Sequence, residues 1–255
     1  MAELTIDDVK RAAKREAFRA GVQMRLLTPR VSVHVTRWVL AHTRLVPDQI
    51  TVISMGVGLA AAAAFASTEP LVVLAGLLAY HGHVTLDYVD GEVARCRGTT
   101  SARGAYLDLM ADRVTFPLLV FCAGVGAYRT LPDPSVLVAA FVGAFGLLLD
   151  KEACDCWYRA TAGERPAGDG ELEDRYVVAP DRTGWRWWRG RLALLAVMVR
   201  GLTAFLTYTA VAAFVDPTWR PAVSGAFAAL FPLAAFGRFL LVYRRGAIPR
   251  RQALL

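Results

Sequence analysis

Long apolar stretches separated by short polar breaks dominate this chain. Six such stretches recur, at residues 48–67, 70–94, 102–128, 134–157, 192–214 and 219–243. A helix rises about 1.5 Å per residue, so each stretch is long enough to cross a hydrocarbon core of about 30 Å. The pattern predicts an all-α integral membrane protein with six transmembrane helices.

Two amphipathic segments precede the first of these stretches. Residues 3–20 form one segment, with apolar side chains on one face and basic side chains on the other. Residues 31–45 form the second, in which Arg30, Arg37 and Arg44 recur every seven residues opposite an apolar face. The second segment is too short to span a bilayer, and a helix with one charged and one apolar face lies in the membrane interface. We therefore expect two N-terminal interfacial helices ahead of the membrane domain.

These segments divide the chain into three parts: a cytoplasmic and interfacial part at residues 1–46, the six-helix membrane domain at residues 47–245 and a cytoplasmic tail at residues 246–255. Within the membrane domain, residues 159–191 are rich in glycine, proline and both charges, which is typical of a loop exposed to water. The first span is predicted to open at Pro47 and Asp48, because proline cannot continue a preceding helix and aspartate is a frequent N-cap.

The basic residues indicate how the chain is oriented. Of its 29 lysines and arginines, 24 fall in four stretches, at residues 1–47, 95–103, 151–191 and 244–255. The turns between them are nearly free of basic residues, at 67–70, 130–135 and 215–219. By the positive-inside rule, both termini and the 95–103 turn face the cytoplasm, in a multi-pass protein of the inner or plasma membrane.

The net charge of +7 calls for an anionic partner. The chain is 55% hydrophobic, above the roughly 45–50% that is typical of soluble domains, so the nearest anions are lipid headgroups. Each basic residue near an anionic membrane surface contributes about 1 kcal/mol of binding. We therefore expect membrane lipids as partners and exclude nucleic acid.

The second and third apolar stretches carry charge where a membrane span is normally uncharged. Each carboxylate there costs at least about 2.5–3.5 kcal/mol. Asp87 and Asp90 are three residues apart, and Asp108 and Asp112 are four apart, so each pair occupies one face of its helix. Residues 98–101, Gly-Thr-Thr-Ser, predict a tight turn and a new N-cap. The two helices then run antiparallel, and their four carboxylates meet at similar depth.

Four carboxylates at close range need positive charge if they are to stay ionised together. Mg²⁺ and Mn²⁺ are hard cations that take oxygen ligands, and Mg²⁺ typically binds carboxylates together with substrate phosphates. Two ions suit four acids, which indicates polarisation of a phosphoryl group by two metals. We expect a site for two Mg²⁺ or Mn²⁺ ions.

Gly91, Arg95 and Gly104 accompany the aspartates and suit a phosphate-bearing substrate. A glycine removes the side chain with which a phosphate would collide at the helix surface. The guanidinium of an arginine is a planar fork that fits a pyrophosphate oxygen. The aspartates and these three residues together predict a site for a diphosphate-containing substrate at the cytoplasmic face.

Residues 87–112 match a known signature without a departure: Asp-x2-Asp-Gly-x2-Ala-Arg-x8-Gly-x3-Asp-x3-Asp. This signature is that of the CDP-alcohol phosphotransferases, also called CDP-alcohol phosphatidyltransferases, and the chain resembles that family. The entry into the first span and the six spans also resemble it. The resemblance implies transfer of a phosphatidyl-type group from a CDP-linked donor, CDP-diacylglycerol, to the hydroxyl of an alcohol, with release of CMP, in phospholipid biosynthesis.

The resemblance also implies roles for individual residues. The metal ligands would be Asp87, Asp90, Asp108 and Asp112, and Asp112 would also act as general base on the acceptor hydroxyl. The CDP pocket would be lined by Gly91, Arg95 and Ser101, with help from Asp48 and Thr51, and with Gly104 beside them. Members of this family are often dimers, which makes a homodimer one possible assembly.

Four basic residues near or inside the spans are candidates for holding a phosphorylated or anionic alcohol: Arg113, Lys151, Arg200 and Arg238. Lys151 has Asp150 and Glu152 beside it in the sequence as ion-pair partners. This Asp-Lys-Glu run departs from the basic pattern of family members that accept an inositol phosphate.

Two other functional classes also place aspartates within membrane spans. An intramembrane prenyltransferase uses aspartates and Mg²⁺ on a diphosphate, but the chain has no Asp-Asp-x-x-Asp run. A divalent-cation transporter favours broken helices and symmetry between its halves. Here the aspartates lie in the first half only, with no counterpart in the last three spans. Both alternatives therefore rank behind the phosphotransferase.

Overall fold

The fold was analysed in a computed structural model that describes residues 22–160 and 201–246. The predictions for residues 3–20, for the start of the fifth span at 192–200 with Arg200, and for the tail from residue 247 lie outside the described residues. So does the predicted loop at 159–191, except its first two residues, which belong to a helix. Within the described ranges the chain is helical and contains no strand. This agrees with the all-α class that the sequence predicts.

Seven α-helices follow one another along the described parts of the chain. They are α1 (Val22–His42), α2 (Pro47–Phe65), α3 (Pro70–Arg97), α4 (Ala102–Thr130), α5 (Pro134–Ala160), α6 (Leu202–Val215) and α7 (Arg220–Gly246). A short 3-10 helix, Pro217–Trp219, joins α6 to α7. Five of the six predicted spans, corresponding to α2 to α5 and α7, begin within one residue of their predicted starts.

Proline begins three of the helices, at Pro47, Pro70 and Pro134. The fixed φ of proline suits the first helical turn, where its missing N–H leaves no bond unmade. The prediction that Asp48 caps α2 was wrong, because the N-cap is Val46, whose backbone N–H donates to the side chain of Gln49 at 3.1 Å. Asp48 lies in the first turn instead, where a carboxylate interacts favourably with the helix dipole.

Helix α1 differs from the prediction for residues 31–45. It spans Val22–His42, so it starts and ends earlier than predicted. Val33 and Val39 are buried, whereas Trp38 is 58% exposed. The reason is that α1 packs against α3, and this contact sets its buried face rather than the stripe of arginines.

The hydrophobic core lies where α2, α3, α4, α6 and α7 meet, with α5 packed between α4 and α7. Phe65, Leu119 and Phe205 are fully buried at its centre. The ring of Phe205 lies 5.1 Å from that of Phe227 and 6.0 Å from that of Phe231, measured between centroids. Aromatic rings at these separations stabilise the contact between the helices beyond the effect of burial alone.

Small residues bring α5 close to its two neighbours. A Cβ on Gly124 of α4 would lie 2.1 Å from the Cβ of Ala140, and a Cβ on Gly146 of α5 would lie 2.5 Å from the backbone nitrogen of Pro232. Such close approaches between helices are typical of membrane proteins, where association depends on packing. The side chains near the C-terminal end of α5 are thereby held close to α4 and α7.

Four of the described helical segments are long and apolar enough to cross a membrane, by length and composition: Pro47–Phe65, Pro70–Arg97, Ala102–Thr130 and Pro217–Leu240. Large apolar side chains point outward from them, among them Leu71, Leu78 and Leu233, which are 73%, 65% and 65% exposed. An apolar exterior of this kind suits contact with lipid. The chain is an integral membrane protein, and the full count of six spans remains a prediction.

Candidate active site

The turn between α3 and α4 determines the geometry of the site. Gly98 has a φ of 66°, in the left-handed region that favours glycine, and the N–H of Thr99 donates to the carbonyl of Ala94 at 2.8 Å. Ser101 then caps α4, since its Oγ accepts a hydrogen bond from the N–H of Gly104 at 3.0 Å. The two helices therefore run antiparallel from a tight turn, as the sequence predicts.

The four aspartates are brought together across α3 and α4. The carboxyl group of Asp87 interacts electrostatically with those of Asp112, Asp108 and Asp90, and it is hydrogen-bonded to that of Asp108. Two carboxylates approach this closely only with a proton or a cation between them. Asp90 is buried and the other three are half-buried. The site is thus an acidic cluster at the turn end of the α3–α4 pair.

Asp90 is held in place by α2. The hydroxyl of Thr51 donates to Oδ2 of Asp90, and it lies 3.2 Å from the carbonyl oxygen of Pro47. Thr51 is 4% exposed and Asp90 is 5% exposed, so water has little access to this bond. The sequence predicts Thr51 as part of a CDP pocket, and its contact in the structure is with one of the four aspartates.

Asp112 is held in place by α5. The Nζ of Lys151 donates to its Oδ2 at 2.8 Å and lies 3.9 Å from the centroid of the Phe116 ring, a cation–π contact. The other oxygen, Oδ1, is buried and has no hydrogen-bond partner among the described residues. A buried carboxylate oxygen left without a donor is a natural ligand for a cation.

The donor set suits a hard divalent cation, because all four candidate ligands are carboxylates. Within residues 22–160 and 201–246, however, no three acidic, histidine or cysteine side chains already form a cation cage. Thr51 engages one oxygen of Asp90, and Lys151 engages one oxygen of Asp112 and leaves the other without a hydrogen bond. By their chemistry the four carboxylates fit a metal site.

Three of the residues predicted for the CDP pocket lie together where α2 and α4 begin. A Cβ on Gly104 would lie 3.3 Å from the Oγ of Ser101 and 3.4 Å from Oδ1 of Asp48, so a larger residue would crowd both oxygens. Gly91 and Arg95 lie one turn apart on α3 and are half-buried. These five residues surround the aspartates on the side of the turn.

The residues predicted to hold the acceptor are ion-paired across helices, except Arg200, which lies outside the described residues. Arg113 pairs with Glu152, Lys151 with Asp112 and Arg238 with Asp150. The prediction that Lys151 pairs with Asp150 or Glu152 was wrong. Neighbouring residues on a helix do not face each other, so each of the three reaches a different partner on another helix.

Glu92 lies at an unassigned position of the signature, and sequence reasoning missed it. Its carboxylate accepts hydrogen bonds from the hydroxyls of Ser32 at 2.8 Å and Thr36 at 2.5 Å, both on α1. Glu92 is 1% exposed. The available signal was the spacing of Ser32 and Thr36, which puts two hydroxyls on one helix face. This contact fixes α1 to α3 beside the aspartates.

Comparison with known proteins agrees with this site. Residues 44–151 match the sequence profile of the CDP-alcohol phosphatidyltransferase family, and this range contains all four aspartates. A bifunctional IPC transferase and DIPP synthase from Thermococcus kodakarensis is 30% identical over 154 residues, which cover 57% of this chain and 33% of that protein. The chain thus spans about a third of the length of this curated relative.

Solved structures of phosphatidylinositol phosphate synthase from Mycobacterium tuberculosis share the fold. The structure with CDP-DAG bound has a TM-score of 0.59 at 20% identity and covers 88% of this chain and 100% of its own. The structure in complex with manganese and citrate has a TM-score of 0.59 at 20% identity and covers 87% and 93%. Residues 44–151 form a CDP-alcohol phosphatidyltransferase domain.

Proposed function

We propose that this protein transfers a phosphatidyl-type group from a CDP-linked donor to the hydroxyl of an alcohol and releases CMP, in phospholipid biosynthesis. The donor is CDP-diacylglycerol. The observation that carries the proposal is the meeting of four carboxylates on the facing sides of α3 and α4, inside a domain of the CDP-alcohol phosphatidyltransferase family. The manganese and the CDP-DAG in the structural neighbours support the choice of metal and donor.

Divalent cations, Mg²⁺ or Mn²⁺, would be held by Asp87, Asp90, Asp108 and Asp112, and four carboxylates suit two ions. When bound, the cations supply positive charge that stabilises the phosphates of the donor. The free Oδ1 of Asp112 and the carboxylate pair of Asp87 and Asp108 are the features of the structure that favour this assignment.

The donor's CDP moiety would lie against the start of α2 and the turn between α3 and α4. Gly91 and Gly104 leave room for phosphate oxygens at the helix surfaces. Arg95 offers a guanidinium for the diphosphate. Ser101 and Asp48 lie beside Gly104 and can hydrogen-bond to the nucleotide. Thr51 orients Asp90 through the hydrogen bond that its hydroxyl donates to Oδ2.

The transfer itself is a substitution at the phosphorus that carries the diacylglycerol group. Asp112 removes the proton of the acceptor hydroxyl, and the acceptor oxygen forms a bond to that phosphorus. The bond from this phosphorus to the oxygen of CMP breaks, and CMP leaves with the electron pair. Asp112 is proposed as the base because it is the last aspartate of the signature and lies on the side of the cluster that contacts Lys151.

The acceptor would enter beside α4, α5 and α7, where Arg113, Lys151 and Arg238 lie, with Arg200 as a fourth candidate. The distribution of basic residues supports an active site and two termini on the cytoplasmic side of the membrane. We further propose the division into residues 1–46, 47–245 and 246–255, and a homodimer as an assembly to test.

The proposal is tested by measuring CMP release from CDP-diacylglycerol by the purified protein in detergent, with Mg²⁺ or Mn²⁺. The acceptors are glycerol 3-phosphate, inositol, inositol 1-phosphate and serine, and the Asp112→Asn variant is the control. We expect metal-dependent CMP release with at least one acceptor and none from the variant. Folded protein that neither releases CMP nor binds the CDP donor would refute the proposal.

A further inference from the structure

Three consecutive residues of α5 each form an ion pair with a side chain on another helix. They are Asp150, Lys151 and Glu152. Successive residues on an α-helix point about 100° apart, because a turn holds about 3.6 residues. Asp150 therefore reaches α7, and the other two reach α4. This triplet connects α5 to α4, the helix of Asp112, and to α7.

The pair between Asp150 and α7 is bidentate. The Nε of Arg238 lies 2.7 Å from Oδ1 of Asp150, and its Nη2 donates to Oδ2 at 3.2 Å. On α4, the Nε of Arg113 donates to Oε1 of Glu152, and its Nη1 donates to the backbone carbonyl of Leu109 at 3.1 Å. Two-point contacts of this kind fix a guanidinium in place.

Lys151 is engaged on two sides. Its ammonium lies between Oδ2 of Asp112, at 2.8 Å, and the face of the Phe116 ring, at 3.9 Å from the centroid. Because Oδ1 of Asp112 remains for a cation, the lysine can keep its hold on Oδ2. Arg113, Lys151 and Arg238 are therefore each matched by an acidic group, and the six charges leave no net charge.

A phosphorylated alcohol brings an additional charge of about −2 into this region, and a site that recognises it offers cations whose donors point at the phosphate. Here a phosphate that binds to Arg113, Lys151 or Arg238 would lie beside the carboxylate that already pairs with that group. That carboxylate would repel the phosphate. An alcohol without a phosphate makes no such demand and can hydrogen-bond to the ion pairs as they stand.

From these contacts we infer that the acceptor is an alcohol that carries no phosphate group, and that Glu152 and Asp150 set this specificity by neutralising Arg113 and Arg238. The inference rests on the proposed function, since it names the acceptor class of the same site. Glu152 and Asp150 act through the arginines and are positioning residues for specificity.

The test compares acceptors that differ only in a phosphate: inositol with inositol 1-phosphate, and glycerol with glycerol 3-phosphate. CMP release from CDP-diacylglycerol is measured for each with the purified wild-type protein. In whichever of the two pairs the protein uses as acceptors, we expect kcat/KM to be at least about ten-fold higher for the unphosphorylated alcohol. The reason is that one charge without a counter-charge changes binding by about a factor of ten or more.

Two variants make the test independent of any single substitution. Glu152→Gln and Asp150→Asn each release one arginine, and we expect each to raise kcat/KM for the phosphorylated acceptor by about ten-fold. Thermal unfolding of each variant in the same detergent shows whether it folds, and the ratio of kcat/KM for the phosphorylated acceptor to kcat/KM for the unphosphorylated one is the quantity that should rise. Asp133→Asn, which removes a carboxylate at the exposed turn before α5, is the charge-matched control and should change neither value.

The outcomes separate this inference from the proposed function. A wild-type protein that uses the phosphorylated member equally well or better overturns the inference and leaves the proposed function in place. Variants whose kcat/KM for the phosphorylated acceptor does not rise overturn the role of Glu152 and Asp150. A protein that releases no CMP with any acceptor refutes the proposed function, and the inference fails with it.

Discussion

Lys151 donates to Oδ2 of Asp112 at 2.8 Å, while Oδ1 of the same carboxylate is buried without a hydrogen-bond partner in the described part of the chain. The two side chains are 33% and 26% exposed, so the pair is partly shielded from water. The lysine places a positive charge in direct contact with the aspartate cluster. Through it, α5 takes part in a site whose other members come from α2, α3 and α4.

Replacing Lys151 by methionine should destabilise the protein when no divalent cation is bound. Asp112 would then stand beside three other carboxylates without its counter-charge, and the loss of a charged, partly shielded hydrogen bond costs about 1–3 kcal/mol. Thermal unfolding in detergent with a chelator should show a lower midpoint than for wild type. Added Mn²⁺ should raise the midpoint of the variant more than that of wild type, because the ion replaces the missing charge.

Lys151→Arg is the control for this experiment, since it keeps the charge and alters only the shape of the donor. We expect its behaviour in chelator to be close to that of wild type. An unchanged midpoint for Lys151→Met in chelator would show that the lysine does not stabilise the aspartate cluster.

Asp112→Asn should abolish turnover while leaving binding of the CDP donor largely intact. Asparagine keeps the shape of the side chain but cannot take a proton from the acceptor, and loss of a general base lowers the rate by about 10²–10⁴-fold. The measurements are CMP release under saturating donor and equilibrium binding of the donor in the presence of Mn²⁺. Loss of binding that matches the loss of turnover would argue against a role as base.

Thr51→Val should weaken binding of the divalent cation. Valine has the same shape as threonine but cannot donate to Asp90, and loss of a partner that orients a metal ligand costs about 10–100-fold in affinity. Thr51→Ser keeps the hydroxyl and should retain most of the affinity. Titration of Mn²⁺ into the purified proteins compares the three, and equal affinities for wild type and Thr51→Val would show that the bond does not orient Asp90.

The boundaries of α2 to α5 and α7 and the meeting of the aspartates were predictable because both depend on local rules. The length of each apolar stretch sets a span, and the turn at Gly98 and Ser101 fixes how α3 and α4 face each other. From that turn, the spacing alone places Asp87 near Asp112. These local rules do not predict which side chain of a helix distant in the sequence contacts a given aspartate.

The cross-helix contacts could not be predicted, because they depend on how each helix is rotated about its axis. Lys151 meets Asp112 only because α5 presents that side to α4, and Thr51 meets Asp90 only because α2 packs against α3. One part of this was accessible: adjacent residues on a helix do not face each other, so Lys151 could not pair with its own neighbours. The contact of Glu92 with α1 could be predicted only if the face that α1 presents to α3 were already known.

Gly126→Ala should destabilise the protein through a contact far from the aspartates. Arg220 is 1% exposed, and its guanidinium donates to the carbonyls of Phe65 at 2.9 Å and Ser67 at 2.8 Å, at the C-terminal end of α2. A Cβ on Gly126 would lie 2.1 Å from Nη2 of Arg220 and 2.3 Å from the carbonyl oxygen of Phe65. Because one of these atoms is backbone, we expect a loss of about 1–3 kcal/mol.

Gly56→Ala is the matched control for this substitution, because nothing lies within 4 Å of a Cβ at Gly56 on α2. There the helix should gain up to about 1 kcal/mol, since alanine has the higher helix propensity. Thermal unfolding of both variants in the same detergent distinguishes the two effects. A Gly126→Ala variant as stable as Gly56→Ala would mean that α4 can move away from Arg220 without loss, and that the buried arginine does not fix the end of α2 against α4 and α7.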